Sequence, residues 1–198
     1  MPSLSEYEIK SMMTIPCQYF VETGTFMGDT TEVARRMFEK VYTIEVKEDL
    51  FVKARNRFKP YPSVTCYLGD SSLLLGDICK TLDKPTCFWL DGHYSAGNTG
   101  MGTKEVPLYE ELDVIMTHCK VPCVILIDDC RLFGTSVTKK SIADIIFKKK
   151  GQDVYGWDVI NVPNILEKVS SRLSSYSFAP SILHPQDRLA ITLTQIPF

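Results

Sequence analysis

The stretch FVETGTFMGDTTE, from Phe20 to Glu32, decides the fold of this chain. It overlaps the apolar run CQYFV, which predicts a buried strand over residues 17–21. It then brings two glycines, Gly24 and Gly28, and leads into the helical stretch TEVARRMFEK, with Asp29 as the N-cap of a capping box. A strand, a glycine turn and a helix in this order form the first unit of a nucleotide-binding α/β fold.

The positions of the glycines in this turn indicate which class of ligand it can bind. A dinucleotide site uses GxGxxG, whose middle glycine lets the backbone approach the pyrophosphate, and here Phe26 stands in that place. Glu22 would repel a pyrophosphate but suits the ammonium group of a methionine-like ligand. We therefore expect a nucleoside cofactor without phosphates, such as S-adenosylmethionine, although a plain strand-to-helix turn is the alternative. The candidate cofactor-binding residues of the segment are Glu22, Thr23, Gly24, Thr25, Phe26, Gly28 and Thr31.

The bulk composition limits the possible partners and location. A chain of 198 residues, 44% hydrophobic and 23% charged, is expected to form one domain over residues 1–198. A net charge of −2 gives no footprint for nucleic acid, and no apolar stretch approaches the roughly 20 residues that cross a bilayer. The first ten residues have no apolar signal-peptide core, and the seven cysteines include no CxxC pair. We expect reduced cysteines and a cytoplasmic location, with no nucleic-acid or membrane partner.

Strands and helices alternate along the chain. Further strands are predicted at 41–46, 63–70, 85–92 and 121–130, with helices at 47–58, 71–82, 108–119, 141–150 and 162–173. The tail has two β runs, 175–185 and 188–196, which predict an antiparallel hairpin at the sheet edge. The fold class is therefore α/β: a Rossmann-like, seven-stranded, mostly parallel sheet with helices on both faces and a C-terminal antiparallel hairpin. The edge hairpin either pairs with another chain, giving a homo-oligomer, or stays covered.

Acidic residues end five successive predicted strands: Glu22, Glu45, Asp70, Asp91 and the pair Asp128-Asp129. The carboxyl ends of parallel strands meet in one crevice, where ligands bind. Glu45 lies 21 residues beyond Gly24, near the spacing at which an acid binds ribose hydroxyls. Asp70, with Ser71 beside it, is placed to accept from an adenine amino group, and a helix N-cap is an equally good interpretation of Asp70.

These motifs resemble a known family. The order ExGxxxG, an acid after the second strand, GD after the third, LDG after the fourth and IDD after the fifth is similar to class I S-adenosylmethionine-dependent methyltransferases. The pair LDGH and IDDC resembles the metal-dependent O-methyltransferases, especially the macrocin type that acts on sugar hydroxyls, and more distantly the catechol type. The resemblance covers roughly residues 17–133, and Phe26 departs from its usual middle glycine.

The resemblance implies site residues. Asp91, Asp128 and Asp129 would hold Mg²⁺, a hard cation that prefers oxygen ligands, unless the two adjacent acids only cap their loop. His93 stands where relatives carry an aspartate or another base, so His93 and Asp91 are the candidate catalytic residues. As a general base, His93 would make the rate rise with pH through the histidine range, whereas a structural histidine would not. The segment between Gly97 and Gly102 is either a substrate lid or a mobile loop.

The sequence thus predicts a Mg²⁺-dependent O-methyltransferase that acts on a hydroxyl of a small molecule or sugar. An NAD-type oxidoreductase keeps the fold but needs the missing glycine and tolerates Glu22 poorly. A non-catalytic cofactor-binding module is the third possibility, and the complete set of strand-end acids speaks against it. Fold similarity alone does not decide among these functions.

Overall fold

The computed structural model describes residues 4–94, 99–135 and 156–194. Within these ranges, one sheet of seven strands has the order β3-β2-β1-β4-β5-β7-β6. The strands are β1 (Tyr19–Thr23), β2 (Lys40–Glu45), β3 (Val64–Leu68), β4 (Thr86–Leu90), β5 (Cys123–Ile127), β6 (Leu173–Ala179) and β7 (Arg188–Leu193).

Six α-helices connect these strands within the described ranges: α1 (Glu6–Met12), α2 (Asp29–Ala34), α3 (Glu48–Phe58), α4 (Ser71–Thr81), α5 (Leu108–His118) and α6 (Val162–Val169). The 3-10 turn Cys130–Leu132 follows β5, and the 3-10 turn Trp157–Val159 precedes α6. The helix predicted over residues 141–150 lies outside the described residues.

The direction of the strands confirms the predicted fold class. Strands β1 to β5 pair in parallel, β7 pairs antiparallel with β5, and β6 pairs antiparallel with β7. In the parallel part, Thr23 lies beside Ile44 and Leu90, and Leu90 lies beside Ile127. The ends of β1, β2, β4 and β5 are therefore level, and the loops that follow them share one edge of the sheet.

Side-chain alternation along the central strands builds a core on each face of the sheet. In β1, Tyr19 and Val21 join one buried cluster with Leu112 of α5, whereas Phe20 joins the other cluster with Ile9 of α1. Both clusters are apolar because a parallel sheet covered by helices on two sides has no solvent face. This burial fixes the register, since a shift of one residue would exchange the two faces.

Helix α1 is an element that the sequence analysis did not predict. Ser5 caps it: the Glu8 N–H donates to Ser5 Oγ at 3.2 Å, and the Ser5 N–H donates back to Glu8 Oε2 at 2.8 Å. This reciprocal pair is a capping box, and Ile9 and Met12 bury the apolar side of the helix. The signal SxxE was present at residues 5–8 of the sequence.

Several predicted boundaries are wrong. The first hairpin strand, β6, spans Leu173–Ala179 rather than 175–185, and helix α6 ends at Val169 rather than at residue 173. Strand β1 spans Tyr19–Thr23 rather than 17–21, because it pairs with β4, which begins only after Pro85, so that Glu22 and Thr23 lie inside the strand. Helix α2 spans only six residues, and its N-cap is Gly28 in a left-handed conformation without a side-chain cap. The Asp29 carboxylate instead accepts from Arg57 at 2.8 Å, outside any capping box.

None of the helices among the described residues is long and apolar enough to cross a membrane.

Arg172 holds the end of the sheet opposite the candidate site. It is 5% exposed and donates to three backbone carbonyls: those of Cys119 (2.6 Å), Val121 (2.7 Å) and Thr194 (2.9 Å). These bonds tie the segment before β5 to the segment after β7. Removing this guanidinium would leave three carbonyl oxygens without a donor, which costs free energy of unfolding.

We expect Arg172→Met to lower the free energy of unfolding by about 2–4 kcal/mol, because it leaves buried carbonyls without donors. Urea denaturation followed by circular dichroism measures this change. The matched control is Arg36→Met, which removes a largely exposed arginine paired with Glu32 and should cost less than about 1 kcal/mol. Equal effects of the two substitutions would contradict the role given to Arg172.

Candidate active site

A crevice opens at the level edge of the sheet where β1, β2 and β4 end. It holds about 420 Å³, counted to its open mouth, and the loops after those strands line it. The lining residues are Gly24, Phe26, Ile44, Glu45, Val46, Leu50, Gly69, Ser71, Asp91, Gly92, His93, Thr99 and Gly100. We call this space the strand-end crevice. Six residues predicted as functional are in its wall: Gly24, Phe26, Glu45, Ser71, Asp91 and His93. Thr99 and Gly100 of the predicted loop line it as well.

The turn after β1 requires glycine at its first position. Gly24 has φ +83°, and a Cβ there would clash with the carbonyl of Asp91, so the turn approaches the end of β4 more closely than any side chain permits. Phe26 has φ +49° and lines the crevice where a dinucleotide site has its middle glycine. The residue at this place is therefore not the glycine that lets a backbone approach a pyrophosphate, and the oxidoreductase alternative is not favoured.

Glu45 stands at the crevice wall in a fixed orientation. Its Oε2 accepts from the Phe26 N–H at 2.8 Å and its Oε1 from the Lys47 N–H at 2.9 Å. Each carboxylate oxygen has a further lone pair, so Glu45 is held ready to accept from a second donor. The structure therefore places the acid predicted for ribose binding where such a contact can form.

Glu22 lies behind the crevice rather than in its wall. Its side chain is buried, and its Oε2 accepts from the hydroxyls of Thr31 and Thr43, the latter at 2.7 Å. Thr23 and Thr25 are also buried and absent from the lining. The side chains of Glu22, Thr23, Thr25 and Thr31 thus lie beneath the turn, and a Cβ at Gly28 would meet the Phe58 ring. The predicted contact of these residues with a cofactor stays a prediction.

Asp70 is a helix cap. Its Oδ1 accepts from the N–H and the hydroxyl of Ser72 at 2.9 and 2.6 Å, which confirms the N-cap interpretation. Its Oδ2 accepts from the N–H and hydroxyl of Thr103 at 2.7 and 2.8 Å. Both oxygens are thus engaged inside the protein, and the predicted contact of Asp70 with adenine would compete with Thr103.

The loop that Thr103 belongs to lies over the ends of β2 and β3. Gly100 packs so closely on Val46 and Lys47, and Gly102 on Asp70, that a Cβ at either glycine would clash. Thr99 and Gly100 form one wall of the strand-end crevice. The first part of the predicted lid segment, Gly97 and Asn98, lies outside the described residues.

Acidic side chains gather beside the crevice at the ends of β4 and β5. The group consists of the carboxylates of Asp91, Asp128 and Asp129, together with that of Asp187, which precedes β7. We call these four residues the acidic cluster. His93 lies among them, with its Nδ1 3.4 Å from Asp91 Oδ1 and its Nε2 2.6 Å from Asp129 Oδ2. Asp129 has φ +60°, which turns its side chain back toward β4.

Two arginines neutralise part of the acidic cluster. Arg188 Nε lies 3.4 Å from Asp128 Oδ1, and Arg188 Nη1 lies 2.5 Å from Glu8 of α1. Arg131 Nη1 bridges Asp129 Oδ1 at 2.5 Å and Asp187 Oδ2 at 2.6 Å. Three of the four carboxylates therefore contact the two guanidinium groups, one of which also pairs with Glu8, while Asp91 faces His93.

The pKa values show how the crowding acts. Burial raises the pKa of Asp91 well above its usual range; the imidazole of His93 opposes this, and the charges of Asp128 and Asp129 add to it. Burial, together with Asp129, raises the pKa of Asp128 to about 6, although Arg188 lowers it. Burial lowers the pKa of His93, but the carboxylates beside it raise that pKa by more, so the net shift is upward. This region holds more negative charge than its own cations balance.

The sequence analysis missed several residues of this site. Glu111 is fully buried on α5 and accepts from the Ser71 hydroxyl at 2.6 Å, which fixes a lining residue from behind. Burial raises the pKa of Glu111 to about 7. An acid between Leu108 and Leu112 on an apolar helix face was a signal in the sequence. The Trp157 ring packs edge-on to His93, with centroids 4.9 Å apart, and no sequence pattern predicted that contact.

Comparison with known proteins places the fold. No protein-family model and no curated protein matches the chain. An O-methyltransferase from Bacillus cereus, solved with S-adenosylhomocysteine, has a TM-score of 0.59 at 14% identity and covers 90% of this chain and 74% of its own. A Listeria monocytogenes protein assigned to the S-adenosylmethionine-dependent methyltransferases has a TM-score of 0.57 at 14% identity, covering 96% of each chain.

A third match is the N-methyltransferase NodS of Bradyrhizobium japonicum, solved with S-adenosylhomocysteine. Its TM-score is 0.53 at 11% identity, and the alignment covers 96% of this chain and 88% of NodS. The chain thus shares its fold with solved methyltransferase structures, which confirms the Rossmann-like fold that the resemblance implied. The macrocin-type subclass stays a prediction.

The buried carboxyl group of Glu22 should make the free energy of unfolding depend on pH, and this can be tested without a ligand. Burial raises the pKa of Glu22 to about 7, against the opposing hydrogen bonds of Thr31 and Thr43, while the unfolded value is near 4.5. Its contribution to stability is therefore complete below pH 4.5 and is lost as the pH rises toward 7. Relative to Glu22→Gln, the wild type should lose on the order of 3 kcal/mol of unfolding free energy between pH 4.5 and 8.

Denaturation curves of both proteins across this pH range measure the difference. The control is Glu32→Gln: the hydrogen bond from Arg35 lowers the pKa of Glu32 to about 2, so Glu32 is ionised in both states above pH 5. Its difference from wild type should stay constant between pH 5 and 8. A constant difference for Glu22→Gln as well would show that Glu22 is ionised in the folded protein.

Proposed function

We propose that this protein is an S-adenosylmethionine-dependent methyltransferase that methylates a hydroxyl oxygen of a small molecule or sugar, with a divalent cation at the ends of β4 and β5. The observation that carries the proposal is the adjacency of two sites. The strand-end crevice and the acidic cluster share Asp91, and His93 belongs to the crevice wall while lying among the acids. A methyl donor in the crevice would thus lie next to the place where an acceptor oxygen can be held.

The lining of the crevice fits S-adenosylmethionine better than a phosphate-bearing cofactor. Its described lining residues include Glu45 and Asp91 but no lysine or arginine. Phosphates need cations or a free helix N-terminus, whereas a sulfonium and a ribose diol favour carboxylates. Phe26 also fills the place of the glycine that pyrophosphate binding requires. The oriented carboxylate of Glu45 is the group that we assign to the ribose hydroxyls.

The residues of the acidic cluster fit a divalent cation. Asp91 Oδ1 and His93 Nε2 are buried atoms without a hydrogen-bond partner among the described residues. Buried polar atoms are almost always paired, so two orphans side by side mark a place for a ligand. The sequence predicts Mg²⁺ for this place, and a bound divalent cation would lower the pKa of a coordinated hydroxyl.

The protein's own groups provide the remaining requirements of methyl transfer. The reaction is a direct displacement at carbon, so the enzyme chiefly aligns an oxygen with the methyl group, and alignment contributes about 7–11 kcal/mol. Trp157 and Phe133, with ring centroids 5.9 Å apart, form an apolar wall behind His93 that keeps water away from this side. The general-base role of His93 and the identity of the acceptor, the sugar class included, stay predictions.

The cofactor assignment is tested by calorimetry with S-adenosylmethionine. We expect Glu45→Ala to weaken binding about 10- to 100-fold, equivalent to about 1.5–3 kcal/mol, because a hydrogen bond to a charged group is lost. The matched control is Glu48→Ala, an exposed acid three residues further along the chain, which should bind as the wild type does. NAD should not bind. Binding of NAD, or equal affinities of both variants, would contradict the assignment.

Catalysis is tested separately from cofactor binding. S-adenosylhomocysteine release is measured with a panel of catechol and sugar hydroxyl acceptors. Asp129→Asn should reduce turnover by at least about 10- to 100-fold, the loss typical even of residues that only support a metal ligand. It should leave S-adenosylmethionine affinity unchanged, because Asp129 is outside the crevice lining. A protein that binds the cofactor but methylates none of the panel would favour a non-catalytic binding module.

A further inference from the structure

We propose that the cation site is not the all-carboxylate set Asp91, Asp128 and Asp129, but a mixed set of Asp91, His93 and Asp129 that prefers a first-row transition cation to Mg²⁺. This inference deepens the proposed function, on which it rests for the presence of a cation at this place. It changes His93 from a candidate base to a ligand and names a different class of cation.

The first support is convergence. One ligand atom from each of Asp91, His93 and Asp129 lies within 4.8 Å of the other two. The three residues come from two neighbouring strand ends, the loop after β4 and the turn after β5, so the folded sheet fixes their separation. Donors at such separations enclose a space between them that suits a single small ion.

The second support is the orphaned atoms in this set. His93 is 7% exposed, and its Nε2 has no hydrogen-bond partner among the described residues even though Asp129 Oδ2 is only 2.6 Å away. Asp91 Oδ1 is likewise buried and unpaired, 3.4 Å from His93 Nδ1. An ion among these donors would satisfy atoms that the protein leaves without a bond.

The third support is that Asp128 has another partner. Its Oδ1 faces Arg188, a 1% exposed arginine that Glu8 also holds. Asp128 therefore faces a fixed guanidinium on β7 and is not in the group that converges with His93. Asp129 divides its two oxygens, with Oδ1 on Arg131 and Oδ2 facing His93. The second acidic set, Asp128, Asp129 and Asp187, already has Arg131 between two of its carboxylates and needs no ion.

The donor chemistry decides the class of cation. Mg²⁺ prefers oxygen ligands in an octahedral shell and keeps several waters. Imidazole suits Fe²⁺, Ni²⁺, Cu²⁺ and Zn²⁺, whereas sites made only of carboxylates, carbonyls and water suit Mg²⁺ and Ca²⁺. The Trp157 ring holds the imidazole edge-on and fixes its plane, as ligand histidines require. A site with one buried imidazole and two carboxylates therefore selects a transition cation.

The test uses the full chain, freed of metal by chelation, and has two readouts that do not depend on activity. Electron spin echo modulation of the Mn²⁺-loaded wild type should show coupling to a ¹⁴N nucleus, and His93→Asn should abolish it. Calorimetry should show that His93→Asn weakens Co²⁺ binding at least about 100-fold and Mg²⁺ binding less than about 3-fold. His118→Asn, a histidine on α5 outside both the crevice lining and the acidic cluster, is the matched control and should behave as the wild type does.

Opposite results have distinct meanings. Mn²⁺ binding without ¹⁴N coupling would overturn the inference, as would Mg²⁺ binding that Asp128→Asn removes and His93→Asn keeps. In both cases the proposed function would stand, with the cation at the carboxylate set. If no cation binds the wild type, the inference is overturned as well. S-adenosylmethionine binding, measured on the same samples, tests the proposed function independently, and His93→Gln replaces His93→Asn if thermal melting shows that the latter does not fold.

Discussion

Buried negative charge at the ends of β4 and β5 is the constraint on which the rest of the site depends. Carboxylates placed this close cannot all be ionised in a protein interior unless cations lie between them. The chain provides two such cations from distant segments: Arg131 from the turn after β5 and Arg188 from the start of β7. Arg188 also reaches Glu8. The acidic cluster thereby fastens α1, β5 and the C-terminal hairpin to one another, and a structural role and a ligand site share the same charges.

The strand-end crevice has a different electrostatic character from a nucleotide phosphate site, although its architecture is similar. In both, a glycine turn after the first strand brings the backbone close to the neighbouring strand end, as Gly24 does to Asp91 here. The two kinds of site differ in the side chains beyond this turn. Phe26 stands where the motif of a dinucleotide site has a glycine, Glu45 presents a carboxylate, and Glu22 and Glu111 lie buried behind the wall. These side chains give the crevice wall carboxylates where a phosphate site has cations, which is the basis of the proposed function.

Most of the fold was predictable because it depends on local patterns. Apolar and β-branched stretches marked β2, β4 and β5, and the strand-end acids marked the edge at which they meet. The failures have different origins: the capping box at Ser5 was overlooked, and Asp29 was assigned to a cap although its carboxylate pairs with Arg57, which is distant in sequence. No pattern near Gly28 reveals that pairing.

The candidate site was predictable in position but less so in detail. Asp91, His93, Asp128 and Asp129 do gather, yet which of them face one another depends on Arg188, sixty residues beyond Asp128, and on the packing of Trp157. Likewise, the engagement of Asp70 by Thr103 depends on a loop contact between residues 33 positions apart. Pairings between distant segments are set by the assembled sheet, and a single sequence does not contain them.

The most direct measurement is a crystal structure grown with S-adenosylhomocysteine and Mn²⁺, with anomalous diffraction collected at the manganese edge. We predict cofactor density in the strand-end crevice with its ribose on Glu45, and one anomalous peak coordinated by Asp91, His93 and Asp129. Cofactor bound elsewhere, or no anomalous peak in contact with the acidic cluster, would contradict the claim that one edge of this sheet holds both the methyl donor and a cation.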